Sequence, residues 1–332
     1  MTFARFMELA LYSTGGYYEQ QRKIGKAGDF YTSVSVGPFF GELLARQFAI
    51  WLDEIDAIEL IEIGAHDASL ARDILRWFAQ NKTEVVRNFI YTIVEPSAQR
   101  KAWQQQTLER YRANVRWIDK LSPGVQGAIF SNELLDAMPV HRLRWDAKMR
   151  TWMEWLVGCE GERLASVIGE LSPQAATCAP AVARELAEVL PDGFTTEVSP
   201  TAIRWWTEAA RALQRGYLVG IDYGLAEEEF FRLDRMDGTA RSYAKHRVSE
   251  DLLANPGEQD ITAHVNWTAI QRAGEETGLH TDTFCSQEQF IMNIVRLAAD
   301  ENWNAEQIKQ LKTLTHPNFL GRAFRVLVQT RH

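Results

Sequence analysis

The chain has 332 residues, with 44 acidic and 36 basic side chains, a formal charge of −8 and a hydrophobic share of 46%. That balance fits a globular protein with a sizeable core, in one large domain or two modest ones, and excludes disordered, collagenous and disulfide-scaffold classes. The acidic excess argues against a chain that coats nucleic acid, because phosphate binding needs a concentrated positive field.

The chain opens on TFARFMELALY, where Arg5 and Glu8 interrupt a helix-like pattern, so neither a signal peptide nor a transit peptide is expected there. Short apolar runs then alternate with helical patterns. AIELIEIG (57–64) predicts a strand ending in glycine, and SLARDILRWFAQ (69–80) a helix. FIYTIVE (89–95) predicts a second strand, followed by a helix over 97–112 and strands over 114–119 and 127–133. Residues 200–213 read as a helix leading into a strand at 216–224, and a helix at 266–277 precedes strands at 279–285 and 324–329. Buried runs separated by helices predict an α/β fold with a mostly parallel sheet covered on both faces, the last strand joining antiparallel. No run of eighteen apolar residues offers a membrane span. The three separated cysteines, Cys159, Cys178 and Cys285, predict reduced thiols and no zinc site, so a soluble cytoplasmic protein is expected.

Two insertions interrupt the alternation, and together they predict an inserted subdomain. Residues 141–199 begin with two aromatic-rich segments around Asp146–Lys148, a hairpin pattern, and continue into a helix near 179–189. Residues 225–265 have turn-forming, charged composition and read as a lid or substrate-facing element. The expected organisation is an N-terminal helical segment with a covering loop (1–50) and a core (51–332) carrying both insertions. Trp145, Trp152 and Trp155 on the hairpin are candidates for a recognition surface, whereas Trp77 and Trp103 fit packing positions.

In an open α/β sheet, ligands bind beyond the carboxyl ends of the strands. After the first strand comes Glu62-Ile63-Gly64-Ala65-His66-Asp67-Ala68-Ser69, where glycine permits a tight turn and the next helix offers free N–H groups. The second strand ends at Glu95, 31 residues beyond Gly64, a place where an acid commonly grips ribose hydroxyls. The pair fits an adenosine-containing cofactor, and the alternative is a plain strand–turn–helix capped by Asp67 or Ser69. The fourth strand runs into Asn132, Glu133 and Asp136. A helical turn would place both carboxylates on one face; the alternative is a helix start capped by Asn132. Gly25–Ser33 and Gly238–Tyr243 with His246 concentrate glycines, aromatics and hydroxyls, and Asp260, Thr262 and His264 can form a polar network over a cleft.

These stretches, FMELALYSTGGYY, GDFYTS, FSNELLDAMPVHR, IDYG, GTARSY and PGEQDITAHV, stand in order from residue 6 to residue 265 and together resemble the MidA-like family of SAM-dependent methyltransferases. The resemblance implies a seven-stranded, Rossmann-like methyltransferase sheet and S-adenosyl-L-methionine (SAM) as cofactor. SAM is expected around Glu62, Gly64, Ala65, His66, Glu95 and Asn132, with Asp29 and Thr32 in a segment closing over it. The family's mitochondrial members methylate an arginine of a respiratory complex I subunit, which implies a protein substrate here. Glu133 and Asp136 are the expected guanidinium clamp, with His264 and Asp260 as further candidates for the proton or for ordering the peptide. The family's glycine-rich loop is replaced by GAHDAS. Two rivals stay open, a non-catalytic assembly factor that keeps the fold and a methyltransferase for a small molecule. A homodimer through the hairpin is also open.

Overall fold

The computed structural model describes residues 1–20, 32–81, 89–244, 247–298 and 302–332. Its strands are, in chain order, β1 (Glu59–Ile63), β2 (Ile90–Val94), β3 (Val115–Ile118), β4 (Val125–Asn132), β5 (His141–Asp146), β6 (Thr151–Glu160), β7 (Arg163–Gly169), β8 (Thr195–Val198), β9 (Leu213–Leu225), β10 (Arg241–Ala244), β11 (Arg247–Ser249), β12 (Asp260–Thr262), β13 (Val265–Asn266), β14 (His280–Ser286) and β15 (Phe324–Arg331). They fall in two compact units: residues 31–134, 206–223 and 271–332 form a sheet unit, and residues 1–30, 135–205 and 224–270 form an insertion unit.

The sheet unit holds seven strands in the order β14-β15-β9-β4-β1-β2-β3. All run parallel except β15, which pairs antiparallel with both β9 and β14. The chain walks outward from β1 to β3, then returns to lay β4 on the other side of β1. The order therefore reverses between β1 and β4, and in such sheets a ligand crevice opens at that switch point. β1 and β4 are nearly wholly buried, as sequences without polar alternation require. One sheet face packs on the helices Phe39–Glu54 and Ser69–Asn81, whose apolar stripes supply Phe40, Leu44, Phe48, Ile74 and Phe78 to the core. Where β1, β4 and β9 begin, Gly127 and Gly216 face each other in register with φ of 153° and 126°. A Cβ on Gly216 would collide with the Gly127 carbonyl oxygen, so neighbouring backbones approach here as only glycine allows.

In the insertion unit, residues 141–198 form a four-stranded antiparallel sheet, β7-β6-β5-β8. The expected hairpin is β5–β6, with Asp146 pairing Thr151. Its tryptophans correct the sequence reading: Trp145 and Trp152 are buried and meet edge to face at 5.1 Å, inside a cluster with Leu143, Phe194 and Val198. Trp155 is half-buried, and its indole N–H donates to Thr195 Oγ1 at 3.2 Å. Trp145 and Trp152 are packing, not a recognition face. The helix expected near 179–189 is shorter, Arg184–Val189, and a second short helix, Pro173–Cys178, precedes it, with Pro180 between them unable to continue a helix. Residues 225–265, read as a lid, contain the small antiparallel sheet β11-β10-β12. The N-terminal helix Phe3–Tyr12 buries Phe3, Phe6, Met7 and Leu11 against Val140, Val157, Ile261 and Ala263 of the same unit.

Candidate active site

The loop after β1 keeps a glycine-type backbone with few glycines. Gly64 has φ 82°, His66 φ 46° and Ala68 φ 62°, so each alternate residue from Gly64 onward is left-handed. For His66 and Ala68 that conformation costs about 1–2 kcal/mol each relative to glycine. It persists because the loop is held from within: the Ala68 N–H donates to the Ala65 carbonyl at 2.6 Å, and Asp67 Oδ1 accepts from Ser69 N at 3.0 Å. Burial raises the Asp67 carboxyl, but hydrogen bonds and charge from His66 and the Ser69 bonds outweigh it and hold it at about 2. The Arg72 N–H donates to the Ala68 carbonyl, which opens the helix Ser69–Asn81 directly from this turn. On Gly64, a Cβ would lie 2.9 Å from Leu134 Cδ1. The path of a glycine-rich cofactor loop is thus present although two of its glycines are not.

Glu62 is 2% exposed and accepts a 2.7 Å hydrogen bond from the Tyr91 hydroxyl. Desolvation pushes its carboxyl up to about 8, against the Tyr91 hydrogen bond, which lowers it. At the end of β2, Glu95 is also buried. Its Oε1 accepts from Ser97 N at 2.9 Å and Arg100 Nε at 3.0 Å, and its Oε2 from Gln104 Nε2 at 3.1 Å. Arg100 Nη2 also lies 2.9 Å from Oε1, so both oxygens of Glu95 are held by donors. Gln104 also donates to the His66 carbonyl at 3.1 Å and accepts from the Trp117 indole at 3.0 Å. It ties the β1 loop to the end of β2. Nothing in the sequence distinguished it from its neighbours Gln105 and Gln106.

At the end of β4, residues 133–138 form bends and a turn, which corrects the expectation of a helix there. Glu133 has φ 52°, so Glu133 and Asp136 do not share a helical turn, and Asn132 caps no helix. Instead the Asn132 amide donates to Glu133 Oε1 at 3.0 Å, and Glu133 Oε1 also accepts from Ser33 N at 3.3 Å. Asp222, at the end of β9, accepts from Leu134 N at 3.0 Å and Tyr223 N at 2.8 Å. Asn132 is 9% exposed, and its Oδ1 is buried with no hydrogen-bond partner among the described residues. The Thr32 hydroxyl accepts from Ser35 N at 3.0 Å and Ser35 Oγ accepts from Thr32 N, a reciprocal cap of the short helix Ser33–Val36. Asp29, the rest of 25–31 and His246 lie outside the described residues.

Asp136, Asp260 and His264 belong to the insertion unit. Asp136 and Asp260 are both buried, and the Ala263 N–H donates to the Asp136 carbonyl at 2.9 Å. The Tyr18 hydroxyl donates to Asp260 Oδ1 at 2.8 Å, Tyr12 stacks on Tyr18 at 5.4 Å, and Tyr243 lies opposite Asp260 in the β10–β12 register. Burial, then the negative charges of Asp260 and Asp136, push the Tyr18 phenol well above its usual range; burial, then Asp136, push Tyr243 up as well. Four of the six stretches that carry the family resemblance therefore meet around two aspartates. No feature of the sequence had given Tyr18 or Tyr243 a role of its own. His264 follows Ala263 but feels other charges than these two aspartates. Its N–H donates to Thr239 Oγ1, the charges acting on it are Glu197, Arg235, Arg241 and Glu229, and burial lowers its imidazole pKa.

A seven-stranded sheet whose last strand inserts antiparallel, with a glycine-type turn after β1, is the architecture of SAM-dependent methyltransferases. Comparison with known proteins gives the same class. Residues 43–285 match the sequence pattern of a family described as S-adenosyl-L-methionine-dependent methyltransferase. A crystal structure from Burkholderia thailandensis, bound to S-adenosyl-homocysteine, is 30% identical with a TM-score of 0.86, over 100% of this chain and 88% of that one. The protein arginine methyltransferase NDUFAF7 homolog of Drosophila melanogaster, a mitochondrial protein, is 25% identical over 94% of this chain and 77% of its own length. Human NDUFAF7 is 26% identical over 83% of this chain and 66% of its own length. The chain belongs to this MidA-like family of SAM-dependent methyltransferases, and its cofactor is SAM. The left-handed turn at Gly64–Ala68 and the unsatisfied acceptor on Asn132 fit such a cofactor.

Proposed function

We propose that the chain methylates an arginine side chain of a protein substrate. The relatives' names support this reading, and one observation carries it to particular residues: Asp136 and Asp260 lie buried beside Tyr12, Tyr18 and Tyr243, an environment suited to a planar cation. Bound SAM supplies a methyl group activated on a sulfonium. Guanidinium stays protonated at any working pH, so the protein's task is alignment and charge placement, not prior deprotonation. The two carboxylates accept N–H bonds from the guanidinium and turn one nitrogen outward. Tyr18 fixes the orientation of Asp260 by holding Oδ1. The sulfonium charge is lost while the guanidinium keeps its own, so one proton leaves the acceptor nitrogen, and a carboxylate oxygen of Asp136 or Asp260 receives it. Three free thiols support a reducing, cytoplasmic setting.

With methyl-labelled SAM and a cell lysate, the label is expected in methylarginine after acid hydrolysis of the protein fraction. Label recovered only in methyl-lysine, or only in the small-molecule fraction, overturns the arginine reading.

A further inference from the structure

The helix Ala305–Thr315 of the sheet unit has two faces of different character. Its inner face is clamped: Gln310 and Leu314 are buried, and Gln310 Oε1 accepts from Phe39 N at 3.0 Å. Gln307 Nε2 donates to Glu42 Oε2 at 3.1 Å, and the Leu314 carbonyl accepts from Gln287 Nε2 at 3.1 Å. The outer face carries Ala305, Ile308, Lys309, Lys312 and His316 at helical spacing, all exposed. A turn after the helix adds an aromatic ring. Phe319 N and Gly321 N donate to the His316 carbonyl at 3.0 and 3.1 Å, and Asn318 N donates to His316 Nδ1 at 3.2 Å. A Cβ on Gly321 would lie 2.5 Å from the Thr315 carbonyl oxygen, so the turn closes against the helix end. Phe319 is thereby held 63% exposed, its ring 4.8 Å from that of His316.

Ile308, Thr313 and Phe319, with Lys309, Lys312 and His316, line an open groove of about 480 Å³ on this face. Its apolar side chains are fixed outward before anything binds, which lowers the ordering cost for an apolar side chain that fills the groove. Its charge is equally definite. Among the described residues neither lysine is in an ion pair, in a chain of formal charge −8. The one acid of the helix, Glu306, accepts from Gln310. The complementary surface is therefore acidic as well as apolar. An anionic bilayer is a poorer match, since it recruits clusters of about four to eight Lys or Arg. A segment that shows apolar and acidic side chains together at a spacing of three and four residues is an amphipathic helix. We propose that this groove docks an acidic amphipathic helix of a partner protein, its apolar side chains meeting Ile308 and Phe319 and its carboxylates meeting Lys309 and Lys312.

The test is selection of a display library of helical peptides on the full chain, with the Phe319→Ala protein as counter-target. The enriched peptides are expected to carry apolar residues three and four apart, flanked by Asp or Glu. By fluorescence anisotropy, affinity for a synthesised winner falls about tenfold or more in Phe319→Ala, and similarly in the double reversal Lys309→Glu with Lys312→Glu. A peptide with Lys in place of its acids restores binding to the double reversal. The substituted positions are exposed, so each variant keeps the wild-type unfolding midpoint. No enrichment over the counter-target, enriched peptides without acidic residues, or binding indifferent to these substitutions overturns the proposal. Self-association of the wild type that Phe319→Ala abolishes would give the groove to a second copy. Binding to phosphatidylserine vesicles that the double reversal abolishes would give it to a bilayer. Either result overturns the proposal as well.

Discussion

Asparagine in place of Asp260 reduces methyl transfer to arginine by about a hundredfold or more, while the affinity for S-adenosyl-homocysteine stays within about twofold of wild type. The magnitude is that of removing one preorganised charge from a catalytic centre. The substituted side chain is nearly isosteric and still accepts from Tyr18, so the variant loses charge and proton capacity without losing its place beside β10. Asp136→Asn behaves in the same way, and the double variant falls less than the product of the two single losses, because the residues act on one guanidinium. The described residues proposed to bind the cofactor belong to the sheet unit and the two aspartates to the insertion unit, so binding and turnover are expected to separate. Steady-state rates with calorimetry on each variant decide the matter. Retained turnover in both single variants, or lost cofactor affinity in either, contradicts the arginine assignment.

The second large effect is on stability. Glu62 is 2% exposed and burial raises its carboxyl from 4.5 in the unfolded chain to about 8 in the fold. A raised folded-state value means that the native state holds the proton more tightly than the unfolded state. Its contribution is therefore complete below about pH 4.5 and is lost progressively as pH rises through about 8. A shift of this size corresponds to a few kcal/mol across that window. Glu62→Gln keeps an acceptor for the Tyr91 hydroxyl but cannot ionise. Urea unfolding at pH 5, 6, 7 and 8 is expected to show the wild type losing ground steadily to the glutamine variant. Parallel stability curves for the two proteins would mean that Glu62 does not titrate as its burial requires.

Much of the sheet was legible because apolar runs without alternation have few homes other than a buried parallel strand. β1, β2, β4 and β9 all read that way. β8 escaped notice because its buried residues, Thr195–Val198, are mostly polar, and β7 because its apolar residues, Leu164, Ala165, Val167 and Ile168, fall on both faces and do not alternate with polar ones. Trp145 and Trp152 look like a surface only until β8 and the two short helices before it are in place to bury them. The cofactor loop was misleading in a different way. Judged by residue type, His66 and Ala68 look like losses; judged by backbone, both keep the left-handed conformation that glycine would adopt. Residue identity is an incomplete guide to φ when surrounding hydrogen bonds over-determine a turn. At Glu133, spacing of three residues promised a shared helical face, but a positive φ at the first residue removes the helix on which that geometry depends. Gln104, Tyr18 and Tyr243 matter through contacts distant in sequence, and no local signal marks them.

The central claim is that this loop, with two glycines replaced, still binds SAM. Thermal unfolding of the full chain with S-adenosyl-homocysteine tests it most directly. At a hundredfold excess over its dissociation constant the ligand stabilises the native state by about 2.7 kcal/mol, a rise of several degrees for a chain of this size. The predicted result is such a rise, saturating with ligand and abolished by Gly64→Val, which places a branched side chain at φ 82° against Leu134. An unchanged midpoint at millimolar ligand would contradict it.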